Sequence, residues 1–349
     1  MKPYHLLCIT LALTTAAIAQ QEPTPTTSRR TDWFNHAKWG VFMHYMADTV
    51  LKGDELTIEN WNKAVDSFDV KGLADQLASA GASYFVLTLG QNSGYYCAPN
   101  AAYDRLAGIA PSKCARRDLV ADLSEALRVR RIRLLVYLPA GAPDRDKEAM
   151  KALEWKPGQF PLWTYADGKP KGQDDRLASF QRKWESVIAQ WSKQWGTNVS
   201  GWWFDGCYYP DAMYRHAEAP NFASFAAAAR AGNPDSIVAF NPGVLNPIIN
   251  LAPAEDYTAG EINEPDKVVC AGRWVGRAQF QMLSYLGPSW CQKPPRFKPE
   301  QVAAITKGIT DKQGVVTWDV PPAGVNGRIP DDFLVQLKTI GAALVRENY

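Results

Sequence analysis

The chain has 349 residues, enough for one large domain or two small ones, and 46% of them are hydrophobic, enough to bury a full core. The formal charge is only +2 and there is no basic run, so nucleic acid is excluded as an expected partner. The six cysteines and four histidines show neither CxxC nor H-x-x-x-H spacing, and no G-x-S-x-G occurs, so no metal centre, cofactor or serine-hydrolase elbow is expected.

Residues 1–19 read as a secretion signal: Lys2 gives a positive start, "LLCITLALTTAAIA" is the apolar stretch, and Ala17-Ile18-Ala19 is a small-x-small cleavage site. That stretch is too short for a membrane span, and no later segment is long enough. The mature chain is therefore expected to be secreted or periplasmic. Residues 20–30, "QQEPTPTTSRR", read as a poorly ordered tether, and 31–349 as one domain. Five cysteines remain after the signal; Cys97–Cys114 and Cys270–Cys291 are the expected local pairs, leaving Cys207 free.

From there to the end, short apolar runs alternate with amphipathic stretches. Strands are predicted at 38–45, 84–90, 133–139, 201–206, 236–243, 256–261, 280–287 and 314–321. Most are continuous rather than alternating, as parallel strands covered on both faces are. Between them, Leu119, Leu123 and Leu127 mark one helix, and Phe333, Leu334, Leu337 and Ile340 another. Further helices are expected at 71–80, 175–195, 221–231 and 300–312, and 143–174 reads as a long loop. Eight strands, most followed by a helix, close naturally into a (β/α)8 TIM barrel. A doubly wound sheet competes, but no Gly-rich phosphate loop follows any strand.

Barrel chemistry gathers where strands end. Asp205 lies at such an end, inside "GWWFDGCYYP", where an unpaired carboxylate costs several kcal/mol to bury. It is either half of a structural ion pair or a nucleophile on the floor of a pocket. His44, Asn92, Asn241, Glu261 and Asp319 lie near other strand ends. Thirteen tryptophans suit stacking against sugar faces, and Trp203, Trp290 and Trp318 are the candidates, although buried tryptophans are also ordinary core. Trp203 shares parity with Asp205, so it faces the barrel interior while Trp202 faces away.

Four stretches in order resemble the alpha-L-fucosidase family of glycoside hydrolases (family 29): 33–50, 115–141, "GWWFDG" and 309–341. The resemblance implies a retaining glycosidase with Asp205 as nucleophile and His44 on the sugar. It also implies an acid/base from the acidic stretch after the sixth strand, Glu261 first and Glu264 second. One departure stands out. Where the family carries a histidine pair followed by an acid, Gly and Phe, this chain has Gln91, Asn92, Ser93, Gly94 and Tyr95 within "GQNSGYY". Amides still bond hydroxyls, so these residues are expected to read the sugar differently. No C-terminal β-sandwich is expected. The reading is an exo-acting hydrolase of an alpha-linked, fucose-like sugar, with a carbohydrate partner. Its alternatives are a non-catalytic carbohydrate-binding descendant, or a related glycosidase of altered specificity or inverting mechanism.

Overall fold

The computed structural model describes residues 25–156 and 176–345. The expected signal sequence, the first part of the tether and most of the 143–174 stretch therefore lie outside the described residues.

The strands are β1 Trp39–Met43, β2 Tyr84–Thr88, β3 Arg133–Pro139, β4 Gly201–Asp205, β5 Ile237–Phe240, β6 Trp274–Val275, β7 Ala278–Gln279, β8 Gln281–Tyr285 and β9 Val315–Val320. Seven of them form one sheet in the order β5-β4-β3-β2-β1-β9-β8. Every pairing in it is parallel. The remaining two, β6 and β7, form a short antiparallel hairpin. The fold is thus α/β with a curled parallel sheet, consistent with a (β/α)8 barrel.

The sixth predicted strand, 256–261, is not a regular strand. It makes only isolated bridges, Tyr257 with Gln279 and Glu261 with Leu283. Yet it bonds both edges of the sheet. The Asp256 amide donates to the Val238 carbonyl at 2.9 Å, and the Ile262 amide to the Leu283 carbonyl at 2.9 Å. Gly260 explains the broken ladder: its φ of +61° is left-handed, and any Cβ there would collide with the Gln281 carbonyl. Side chains supply part of the missing pairing, with the Trp203 indole donating to the Ala259 carbonyl at 3.0 Å and the Tyr257 hydroxyl to the Trp202 carbonyl at 2.9 Å.

Alternation sorts the strand side chains into two cores. Phe42, Tyr84, Leu135, Tyr137, Trp203, Ala239 and Leu283 form the interior cluster. Their neighbours Val41, Phe85, Val136, Trp202, Phe240 and Met282 pack outward in a layer that also holds Leu119, Leu123 and Leu127. The helices sit near the expected places, at Val70–Ala80, Leu119–Arg128, Ala178–Trp195, Phe222–Ala229, Pro299–Thr310 and Asp331–Val345. Side chains of Asp69, Asp118 and Asn221 cap three of them.

Three expectations are corrected. A helix, Pro25–Ala37, begins inside the supposed tether and seats Phe34 against Tyr84 and Tyr257, with ring centroids 5.0 and 4.9 Å apart. A second helix, Lys147–Leu153, occupies part of the supposed loop. All five described cysteines are free thiols. Cys114 bridges Tyr96 rather than Cys97, and adjacent residues of an extended chain face opposite ways. The Cys270 sulfur lies by Gly314, before β9, whereas the Cys291 amide bonds Asp319 near that strand's far end, roughly 16 Å further along. No helix among the described residues is long and apolar enough to cross a membrane.

One buried anion ties the irregular sixth segment to its surroundings. Asp256, 1% exposed, pairs with Arg30 at 2.7 Å, with Arg230, and with the Val238 amide at 3.0 Å. Removing it strands two mostly buried guanidinium groups, so Asp256→Ala is expected to lower stability by about 3 kcal/mol. Urea unfolding followed by circular dichroism checks this, and a loss below the usual surface-mutation range would contradict it.

Candidate active site

Asp205 ends β4 at the mouth of the sheet. The left-handed Gly206 that follows (φ +77°) folds its own amide back onto Asp205 Oδ1 at 2.8 Å. Asn241, just past β5, donates to the same oxygen at 2.8 Å, and the Tyr208 hydroxyl reaches it at 3.4 Å. Tyr137 donates to Oδ2 at 2.6 Å. Among the described residues every hydrogen-bond partner of Asp205 is a neutral donor, so the arginine-clamped ion pair that would mark a structural acid is not present. Neutral donors stabilise a carboxylate without a counter-charge covering it.

The second acid stands opposite. Asn241 Nδ2 also donates to Glu261 Oε2 at 2.6 Å. Two bonds of 2.8 and 2.6 Å from one nitrogen cap the separation of those carboxyl oxygens at their sum, 5.4 Å. Burial and then the Asp205 charge push the Glu261 carboxyl up to about 7, while the Asn241 hydrogen bond and the charge of His44 hold it down. Glu261 thus keeps its proton to a higher pH than an ordinary carboxyl group does. Tyr137 is pushed well above its ordinary value by burial and by Asp205, so it stays a proton donor.

A cavity of about 260 Å³ joins these groups, lined by His44, Gln91, Tyr137, Trp203, Asp205, Glu261 and Trp290, with Phe42, Met46, Leu283 and Cys291. Trp203 and Tyr137 are register partners on β4 and β3, and their rings stack at 5.5 Å. Trp290 sets its edge toward His44, centroids 5.6 Å apart. His44 Nδ1 is 2.8 Å from Asp319 Oδ1. Burial works against a charge on His44, but Asp319 and Cys291 outweigh it and its pKa stands well above the ordinary histidine value. Asn92 lines an adjoining cavity with Trp155, Tyr208 and Tyr209, which shares Gln91, Tyr137 and Asp205 with the first.

The structure therefore brings together His44, Gln91, Trp203, Asp205, Asn241, Glu261 and Trp290, with Asn92 next door. It does not bring in three others. Glu264 lies on the surface, paired with Lys267 at 2.5 Å, and is no part of the cavity. Tyr95 is turned away by the 91–94 turn and bonds the Leu56 carbonyl at 3.3 Å. Trp318 is fully buried in the outer layer, its indole bonded to Thr306 at 2.9 Å, because β9 alternation sends Thr317 and Asp319 inward instead. Sequence reasoning missed Tyr137, yet the signal was present: it has the parity of Leu135 on β3 and faces the same interior. It also missed the gathering of His44, Cys291 and Asp319, whose donor atoms lie within 4.8 Å of one another.

The alpha-L-fucosidase family profile matches residues 57–348. The chain belongs to the alpha-L-fucosidase family of glycoside hydrolases. The match includes three of the four motifs that carried the resemblance and begins just after the first. Among solved structures, the chain is similar to the endo-fucoidan hydrolase MfFcnA9 of glycoside hydrolase family 107, at 16% identity and a TM-score of 0.68, over 92% of this chain and 65% of that one. It is also similar to alpha-L-fucosidase isoenzyme 1 from Paenibacillus thiaminolyticus, at 20% identity and a TM-score of 0.58, over 93% and 76%. For the alpha-L-fucosidase AlfC in complex with Fuca(1,6)GlcNAc the identity is 13% and the TM-score 0.60, over 92% and 99%. At these identities the likeness is one of fold. The chain spans 65% and 54% of the lengths of two endo-fucoidan hydrolases it resembles. No curated protein matches it.

Because the Asn241 amide stabilises the charged form of Glu261, Asn241→Ala is expected to raise the Glu261 pKa above about 7. Titration of the carboxyl carbons by NMR measures this. A fall would contradict the bridging role.

Proposed function

We propose that this chain is a secreted, exo-acting, retaining glycoside hydrolase of an alpha-linked, fucose-like sugar, built on a single (β/α)8 barrel whose sixth stave is the segment 256–262. The observation that carries the reading is the pair of carboxyl groups, Asp205 and Glu261, held across one mouth by one amide, with their bridged oxygens no more than 5.4 Å apart. Retaining glycosidases place their two carboxyl groups about 5–5.5 Å apart, and inverting ones about 6.5–9.5 Å.

Asp205 attacks the anomeric carbon as Glu261 gives its proton to the departing oxygen. The bond to the leaving group breaks and a glycosyl-aspartate forms. Glu261, now a carboxylate, takes a proton from water. That water attacks the same carbon, Asp205 departs, and the configuration is retained. His44 and Gln91 bond ring hydroxyls, Trp203 and Trp290 bound the sugar, and Phe42, Met46 and Leu283 offer apolar contact suited to a 6-deoxy methyl group. The adjoining cavity, with Trp155 and Tyr209, receives the leaving group. The presence of a second acid favours an enzyme over a sugar-binding descendant. Secretion rests on the sequence of residues 1–19.

With 4-nitrophenyl alpha-L-fucoside as substrate, Asp205→Asn is expected to lower kcat by a factor on the order of a thousand or more. For the parent, kcat/KM should fall as pH rises through about 7, because Glu261 works as an acid only while protonated. Equal turnover by both proteins, or a rate that climbs through that range, would overturn the reading.

A further inference from the structure

We propose that His44, Cys291 and Asp319 form a binding site for a divalent cation of the zinc class on the wall of the sugar cavity. The donor set comes first. An imidazole nitrogen, a thiol sulfur and a carboxylate oxygen lie within 4.8 Å of one another. That mixture suits zinc and its neighbours, whereas magnesium and calcium prefer oxygen alone.

The three residues are 28 or more positions apart in the chain and converge because the sheet brings their segments together. His44 follows β1, Asp319 is on β9 beside it, and Cys291 is in the loop beyond β8. They are already ordered on one another. His44 Nδ1 is 2.8 Å from Asp319 Oδ1, and the Cys291 amide donates to Asp319 Oδ2 at 3.1 Å. Cys291 also has a φ of +60°, a left-handed backbone that side-chain-bearing residues rarely adopt, and such outliers gather at binding sites. The hydrogen bond that its backbone N–H donates to Asp319 ties down that conformation, and Cys291 lines the cavity wall.

Access completes the case. His44 and Cys291 line the same open cavity as Asp205 and Glu261, so an ion has an entry path and room for water at a fourth position. Binding exchanges the thiol proton of Cys291 and the proton that His44 shares with Asp319 for the ion, and both protons pass to solvent. The bound ion takes no part in bond cleavage. It occupies the His44 face of the cavity and so competes with a sugar there; that consequence rests on the proposed hydrolase reading, whereas the binding itself does not.

The test uses the reduced full-length mature chain. Equilibrium dialysis against zinc is expected to leave one ion per chain, and cobalt(II) in its place should give the near-ultraviolet thiolate-to-cobalt charge-transfer absorption. Cys291→Ser should abolish that absorption and weaken zinc binding by about tenfold or more. Circular dichroism confirms the variant's fold, and Asp319→Asn, which removes a different donor, should weaken binding similarly if Cys291→Ser does not fold. Failure to retain zinc, cobalt bound without the charge-transfer band, or folded variants that bind as the parent does would each overturn the proposal.

Discussion

One amide nitrogen holds two carboxyl groups together at the mouth of this sheet, and much of the surrounding structure serves to place it. Asn241 can bridge Asp205 and Glu261 only because β4, β5 and the 256–262 segment run side by side, so that three neighbouring strand ends deliver three side chains to one point. Two acids this close cannot both be charged at low cost. Burial and the Asp205 charge favour the protonated form of Glu261, and the bridging amide opposes them. The donors around Asp205 are two tyrosines, an asparagine and a backbone amide, all neutral, so no counter-charge covers it.

The neighbouring acids show what the alternative looks like. Asp256 sits between two arginines and Glu255 accepts hydrogen bonds from the amides of Phe240, Leu251 and Ala252 and from the Asn250 side chain. These two hold the irregular sixth segment in place of a regular ladder. Burial pushes Glu255 up to about 7 even against those donors. Two adjacent carboxyl groups, one in an ion pair and one anchoring backbone, are thus distinguished by the partners each meets.

The sequence carried most of the fold because parallel strands buried on both faces read as unbroken apolar runs, and seven of the eight proposed runs are strands of the sheet. The remaining run, "DYTAGE", sixth in chain order, has too few apolar residues to settle its class, and Gly260 interrupts it for a reason visible only when Gln281 lies across from it. Alternation correctly set Trp203 beside Asp205. Applied equally to β9, it would have sent Trp318 to the helix layer and Asp319 to the cavity, and applied to β3 it would have found Tyr137. What could not be read was convergence across long separations. No spacing rule joins His44 to Cys291 and Asp319, or reveals that Cys270 and Cys291, only 21 positions apart, belong near opposite ends of the sheet.

The most direct test of the account is to trap the covalent intermediate. A 2-deoxy-2-fluoro-fucosyl fluoride slows breakdown of a glycosyl-enzyme more than its formation, and mass spectrometry of the digested protein locates the adduct. The account requires one glycosyl unit on the peptide that contains Asp205, dependent on an intact fold. An adduct on another carboxyl group, or none from a protein that still cleaves alpha-fucosides, would contradict it.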